Sequence, residues 1–227
     1  MIQKIRLFFF FLLINVSFSA QAESILPLDF DEVEQNIFWN KLYGAGGWTL
    51  YCGFQFNATR KGTNGQALRI EHIYPSEWML KYSKCNSRQQ CREQENKQFL
   101  NMEADLHNMY PVWEAADLAR RDREFSEIAG EQSRFDNCDF ERQQGKVEPR
   151  NIAKGNIART MFYMHNTYAM PIPDNMLTLF KKWHEQDPPS DQEIARNDMI
   201  EAIQGNRNIF VDKPEEVNAL IMRAAKR

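Results

Sequence analysis

The stretch R69-I-E-H-I-Y-P-S-E-W78 closes a β-favouring run and sets a carboxylate, Glu71, directly beside an imidazole, His72, just ahead of Pro75. Upstream, WTLYCGFQFNA (48–58) alternates and is rich in aromatic residues, so it reads as a strand. KGTNG (61–65) reads as a turn, and ALRIEHIYP (67–75) as a second strand ended by proline. Neighbouring side chains on an extended strand point to opposite faces, so Glu71 and His72 reach one site only near a strand end or bend, which Pro75 makes available. The pair suits phosphodiester chemistry. The carboxylate can hold a hard divalent cation, and a neutral imidazole with a pKa of about 6.5 can take a proton from water. Taken alone, it also suits two polar residues at the end of a strand, the commoner case because most exposed His and Glu residues have no special role.

Beyond this region the pattern turns helical. Residues Gln89 to His107 place Phe99, Met102 and Leu106 at helical spacing, with Pro111 limiting continuation. In MEADLHNMYP (102–111), Glu103 and His107 are i,i+4 neighbours. That spacing fits a carboxylate and histidine supporting a metal site, and also a capped helix end. DLARRDREF (117–125) interleaves Arg120, Arg121 and Arg123 with acids, either as a solvated surface or as a phosphate-binding segment with Asp117 or Asp122 toward a metal. A further basic series follows: Arg134, Arg142, Lys146, Arg150, Lys154 and Arg159. Only groups that share a face would bind a polyanion. The C-terminal half reads as helices over 151–170, 174–186, 190–205 and 212–227. Ser190 and Glu193 form a capping box, Gly205 stands at a helix end, and Pro214 lies early in the last helix.

The N-terminus has Lys4 and Arg6, an apolar run from Leu7 to Phe18, then Ala20-Gln21-Ala22. This is the pattern of a secretory signal peptide over 1–22, too short in its apolar run to span a bilayer, leaving 23–227 as one domain. Its removal leaves 26 basic against 31 acidic residues, a net charge of −5. Export places the four cysteines where disulfides form. Four cysteines allow three pairings. Cys85 and Cys91 are close enough for a local clasp, which would leave Cys52 with Cys138. The sequence holds no C-x-x-C pair, G-x-S-x-G, Walker loop or G-x-G-x-x-G, so zinc-ribbon, serine-hydrolase and nucleotide-binding classes lack support.

Several stretches together resemble one family, the exported endonuclease I nucleases of bacteria with a ββα-metal active site. They are TLYCG (49–53), RIEHIYPSEW (69–78), QFLNMEADLHNMYP (98–111), GNIARTMFYM (155–164) and IQGNRNIFV (203–211), in the family's order. The resemblance implies an α+β fold with a ββα-metal core, flanking helices and a helix-rich C-terminal half. It implies largely sequence-independent cleavage of DNA, and often RNA, to 5′-phosphate ends with one divalent cation, usually magnesium, otherwise manganese or calcium. Carried over, Glu71 is a metal ligand, His72 the base that activates water, Arg88 the arginine that steadies the cleaved phosphate, and Glu103 the acid of the family's "EAD". His107 and Asn108 take supporting roles. The family's asparagine ligand corresponds here to Asp117, or to Asp122, in a segment that departs from the family between Trp113 and Glu131. Arg120, Arg121 and Arg159 are the expected nucleic-acid contacts, and the cysteine positions support Cys85–Cys91. The expected protein is a periplasmic or secreted monomer with no membrane association. The rival expectation is a catalytically silent protein on the same fold that binds nucleic acid or a partner.

Overall fold

The chain, for which a computed structural model describes residues 29–130 and 133–224, is an α+β fold. The expected signal peptide, 1–22, and its cleavage point near Ala22 lie outside the described residues. Asp29 starts α1 (Phe30–Glu32) by accepting from the N–H groups of Asp31 and Glu32. Wider π-type turns continue over Val33–Leu42, ending with the Tyr43 N–H donating to the Phe38 carbonyl at 2.9 Å. Val33, Ile37, Phe38 and Trp39 pack with Phe56, Leu106 and Ile200 in one of two apolar cores.

The expected strand over 48–58 is instead two short strands, β1 (Gly47–Trp48) and β2 (Gln55–Phe56), paired antiparallel. Between them the chain turns at Gly53 (φ 67°), with the Thr49 hydroxyl accepting from the Phe54 N–H. Cys52 sits in this turn and is bonded to Cys138, closing 86 residues, which contributes about 2–4 kcal/mol by restricting the unfolded chain. The alternation came from residues that a turn, rather than a ladder, presents to the core.

β3 (Leu68–His72) forms where expected. Between it and its partner lie α2 (Ser76–Ser83), α3 (Arg88–Glu93) and α4 (Lys97–Ala104). The single helix expected over Gln89–His107 is therefore broken. Glu95 takes a positive φ of 50°, and the Asn96 side chain caps α4 by accepting from the Phe99 N–H at 3.1 Å. Helix α4 stops at Ala104 because Asp105 turns its carboxylate onto the His107 N–H, opening a single 3₁₀ turn at Leu106–Asn108. β4 (Met109–Trp113) then pairs antiparallel with β3, Glu71 opposite Tyr110 and His72 opposite Met109. Pro111 lies within β4, opposite Ile70. A two-stranded sheet is all edge, where proline's missing donor is tolerated. α5 (Glu114–Arg120) packs back on both strands, completing a ββα unit.

Residues 124–149 hold a four-stranded sheet that the hydrophobic pattern did not announce. It comprises β5 (Glu124–Phe125), β6 (Ser133–Phe135), β7 (Cys138–Gln143) and β8 (Lys146–Pro149), in the order β5-β8-β7-β6. The strands are short and highly charged. A two-residue turn at Gln144-Gly145, both with positive φ, joins β7 to β8 in a hairpin.

The C-terminal half is helical as expected: α6 (Asn151–Tyr168), α7 (Asp174–Gln186), α8 (Asp191–Gln204), α9 (Ile209–Asp212) and α10 (Glu216–Ala224). α6 buries Ile157, Met161, Phe162 and Met164 at the centre of the larger core. Gly155 lets the end of α7 approach, since a Cβ there would stand 1.9 Å from the Asp187 carbonyl oxygen. Ser190 caps α8 by accepting from the Glu193 N–H at 3.2 Å, and Gly205 (φ 86°) ends it. The Glu193 carboxylate, expected to complete the capping box, turns instead to Arg159. Among the described residues no helix is long and apolar enough to cross a membrane.

Candidate active site

At the end of β3 the chain bends away under the control of Asn108. Its carbonyl accepts from the Ile73 N–H (3.0 Å), its Oδ1 from the Tyr74 N–H (2.7 Å), and its Nδ2 donates to the Tyr74 carbonyl (3.1 Å). Asn108 is fully buried and makes these bonds to backbone, so it fixes the geometry in which Glu71 and His72 reach one cleft. That cleft, of about 760 Å³, is lined by both residues together with Ser76, Arg88, Asp117, Arg121 and Asp122.

His72 Nε2 lies 2.8 Å from the Glu103 carbonyl oxygen. A carbonyl only accepts, so Nε2 carries the proton and the Nδ1 lone pair is left as the acceptor. The ring packs 5.5 Å from that of Phe30. Burial, then the Arg88 charge, lower its pKa to about 3 against the opposing pull of the Glu103 carbonyl, so the imidazole is neutral at physiological pH.

Glu71 accepts from the Tyr51 hydroxyl at 2.9 Å and lies 3.2 Å from Arg120 Nη1. Asp117, on α5, is within hydrogen-bonding reach of it. Burial raises the Glu71 pKa well above the usual carboxylate range. Arg120 opposes that shift, Asp117 adds to it and Tyr51 opposes it. Two adjoining carboxylates in a polar cleft form an oxygen donor set that a hard divalent cation fits. Among the described residues no three His, Cys, Asp or Glu side chains converge on a metal-sized site. Two carboxylates with retained waters are what magnesium commonly accepts.

Arg88 also lines the cleft, donating to Ser76 Oγ at 2.5 Å, with its side chain 42% exposed. The Cys85–Cys91 bond brackets it. Glu103, expected among the catalytic residues, does not line the cleft. It faces inward from α4, fully buried, held by Arg92 through two bonds of 3.1 Å and by Arg88 at 3.7 Å. Its side chain orients Arg88, and its carbonyl orients His72.

Two expected nucleic-acid contacts are corrected by burial. Arg120 donates to the carbonyls of Ile73 and Arg121, both at 2.8 Å, and its guanidinium sits 4.6 Å from the Phe125 ring centroid. Arg159 is 0% exposed. It pairs with Glu193 through bonds of 2.7 and 2.5 Å and donates to the Asp187 carbonyl. Both are internal struts, because helices α5 and α6 turn these positions toward the core. Arg121 remains exposed at the cleft, in a strained backbone (φ 50°, ψ −121°) that leads directly to Asp122.

His107 is likewise structural. Its Nε2 bonds the Asn206 carbonyl at 3.2 Å and its ring lies 4.5 Å from that of Tyr163. Nearby, Asp105 accepts from the Tyr163 and Tyr168 hydroxyls (2.7 Å each) and from Gln204 (2.8 Å). The motifs around 103–108, 155–164 and 203–208 thus meet in one buried polar frame behind the cleft. Tyr51, Ser76 and Arg92 were missed as site residues. Tyr51 lies in TLYCG, a stretch that pointed to the region without pointing to the hydroxyl.

Burial lowers the His107 pKa to about 4, with Arg196 assisting and Asp105 opposing. An unfolded histidine titrates near 6.5, so the unfolded chain takes up this proton first on acidification. Stability from neutral His107 is full above pH of about 6.5 and is lost toward about 4, by up to about 3 kcal/mol. Urea midpoints at pH 7 and pH 5 should therefore separate more for the wild type than for His107→Gln. Equal separations would exclude His107 as the source.

A ββα unit thus presents His72, Glu71 and Asp117 to one polar cleft. The model of the Endonuclease I family matches residues 15–215, and the chain belongs to that family. It is an endonuclease, a phosphodiester hydrolase. The chain is 29% identical to a periplasmic deoxyribonuclease of Aeromonas hydrophila, covering 89% of this chain and 91% of that protein. It is 31% identical to Endonuclease-1 of Buchnera aphidicola subsp. Acyrthosiphon pisum, covering 78% and 71%. An extracellular ribonuclease of Bacillus amyloliquefaciens is 30% identical over 49% of this chain and 44% of its own length.

Proposed function

We propose that this endonuclease is metal-dependent and largely sequence-independent, hydrolysing DNA, and RNA as a second substrate, to 5′-phosphate ends. His72 is the general base: its Nδ1 takes a proton from water, while the Glu103 carbonyl holds the ring in that tautomer. The resulting hydroxide attacks phosphorus in line with the leaving 3′ oxygen. Glu71 and Asp117 hold one divalent cation, magnesium in preference to manganese or calcium, with Asp122 the alternative second ligand. The cation would supply charge stabilisation at the cleaved phosphate and the leaving oxygen. Arg88 places its guanidinium against the phosphate, and Ser76 and Glu103 hold it there. Arg120 and Tyr51 orient Glu71. The observation that carries this reading is the single cleft shared by a neutral, tautomer-fixed histidine and two adjoining carboxylates. We assign the mature form to 23–227, one monomeric nuclease domain released into the periplasm or medium after cleavage near Ala22.

Digestion of supercoiled plasmid by the mature protein tests the reading. Cleavage is expected with magnesium and is expected to cease with EDTA. Full cleavage in EDTA would remove the cation from the mechanism. Retained DNA binding without cleavage in magnesium, manganese and calcium would favour the silent binding protein, with Asp117 and Asp122 as the cause.

A further inference from the structure

Nine cations among the described residues are spent on paired carboxylates. Arg69, Arg88, Arg92, Arg120, Lys154, Arg159, Lys181, Lys182 and Arg207 all form ion pairs. Eight described arginines form none: Arg60, Arg150 and Arg196 are bonded to neutral side-chain or backbone oxygens, Arg223 lies on the last helix, and the other four are Arg121, Arg123, Arg134 and Arg142. Arg134 and Arg142 stand apart from the first two in sequence, yet the fold gathers all four. Arg121 lines the cleft at the end of α5, and Arg123 follows two residues later with its guanidinium on the carbonyls of Ala119 and Arg120. α5 packs on β7, which carries Arg142, and β6, with Arg134 at its centre, pairs with β7. Arg134 lies over the Phe135 ring at 5.8 Å, which holds it against the sheet.

The four-stranded sheet also sorts its charges. Glu141 is paired directly with Glu148 and lies near Asp139, two residues away on the same side of β7. Arg142, one residue on, takes the other side, which it shares with Phe140. Slight desolvation, then Arg123, Arg134 and Arg121 together, lower the Arg142 pKa, which agrees with the four charges lying close to one another. A protein of net charge −3 that leaves four arginines unneutralised side by side carries a local field suited to a polyanion.

We infer that Arg121, Arg123, Arg134 and Arg142 form a track for the phosphate backbone, leading a nucleic-acid strand from the cleft across the four-stranded sheet. The inference rests on the nuclease reading of the cleft and adds a second region of substrate contact. The track touches phosphates rather than bases, so it holds long substrates without sequence preference. It adds nothing for substrates that end within the cleft.

The test compares wild type with Arg134→Ala/Arg142→Ala and with Arg134→Lys/Arg142→Lys. Both positions are exposed and stand apart from the chemistry. Binding of a labelled 30-base-pair duplex is followed by anisotropy in EDTA across a salt series. Cleavage of a tetranucleotide in magnesium is measured beside it. The alanine variant should bind the duplex about tenfold or more weakly, and its log–log salt slope should be shallower by about 2. The lysine variant should keep the slope, and all three proteins should cleave the tetranucleotide alike. An unchanged slope and affinity in the alanine variant would overturn the track. Salt-dependent binding lost in that variant, with no cleavage by the wild type, would leave the track standing and sink the nuclease reading. Failure of the wild type to bind the duplex would sink the track.

Discussion

Replacing His72 by alanine should lower plasmid cleavage by about 10²–10⁴-fold while leaving the fold intact, because a positioned general base contributes a factor of that size. Three features concentrate the role on this one side chain. Its Nε2 is committed to the Glu103 carbonyl, its other nitrogen is free to accept, and burial with Arg88 nearby keeps the ring neutral. The cleft offers no second imidazole: His107 is bonded to Asn206, His184 to the Pro214 carbonyl and His165 to the Met170 carbonyl, and none of the three lines it. The measurement is the initial rate of plasmid nicking in magnesium, with circular dichroism and a melting curve beside it. A variant within about tenfold of wild type, equally folded, would remove His72 from the chemistry.

Arg159→Met should lower stability by about 3–5 kcal/mol, because it strands the Glu193 carboxylate in the core. For a chain of this size that corresponds to a fall in melting temperature of about 6–20 °C. Arg159 ties α6 to α8 through Glu193, and α6 to the end of α7 through the Asp187 carbonyl, beside the close approach that Gly155 permits. Arg159→Met/Glu193→Met should recover most of the loss, since a buried ion pair replaced by apolar groups of similar volume is often neutral. Thermal unfolding of the three proteins decides. A variant that melts like wild type but binds DNA more weakly would return Arg159 to the nucleic-acid surface.

The difference between Arg159 and Arg142 shows where residue-level reading stops. Both stand in one basic series, and nothing local separates them. The pairing of α6 with α8 turns one into an internal strut, while the register of β7 leaves the other in solvent. Likewise Glu103 matched the acidic position of the family motif, but only the inward face of α4 shows that it contacts Arg88 and the His72 ring and does not line the cleft.

Local chemistry sufficed for much of the rest. Ser190 and Gly205 bound α8 because a hydroxyl cap and a left-handed glycine act within a few residues of themselves. Amphipathic spacing marked the C-terminal helices, since one buried stripe repeats along each. The adjacency of Glu71 and His72 ahead of a proline was written in seven consecutive residues, RIEHIYP. Other features depend on partners distant in the chain. β4 forms through a proline because β3 lies opposite, and the charged strands of 124–149 form because each supplies hydrogen bonds to the next. The cleft itself exists because Asn108, more than thirty residues after His72, grips the backbone where β3 bends. Sequence pattern determined helix, cap and the adjacency of Glu71 and His72 because these are short-range features. Tertiary structure decided which arginines meet solvent and which carboxylate meets the cleft, because burial depends on the whole chain packing at once.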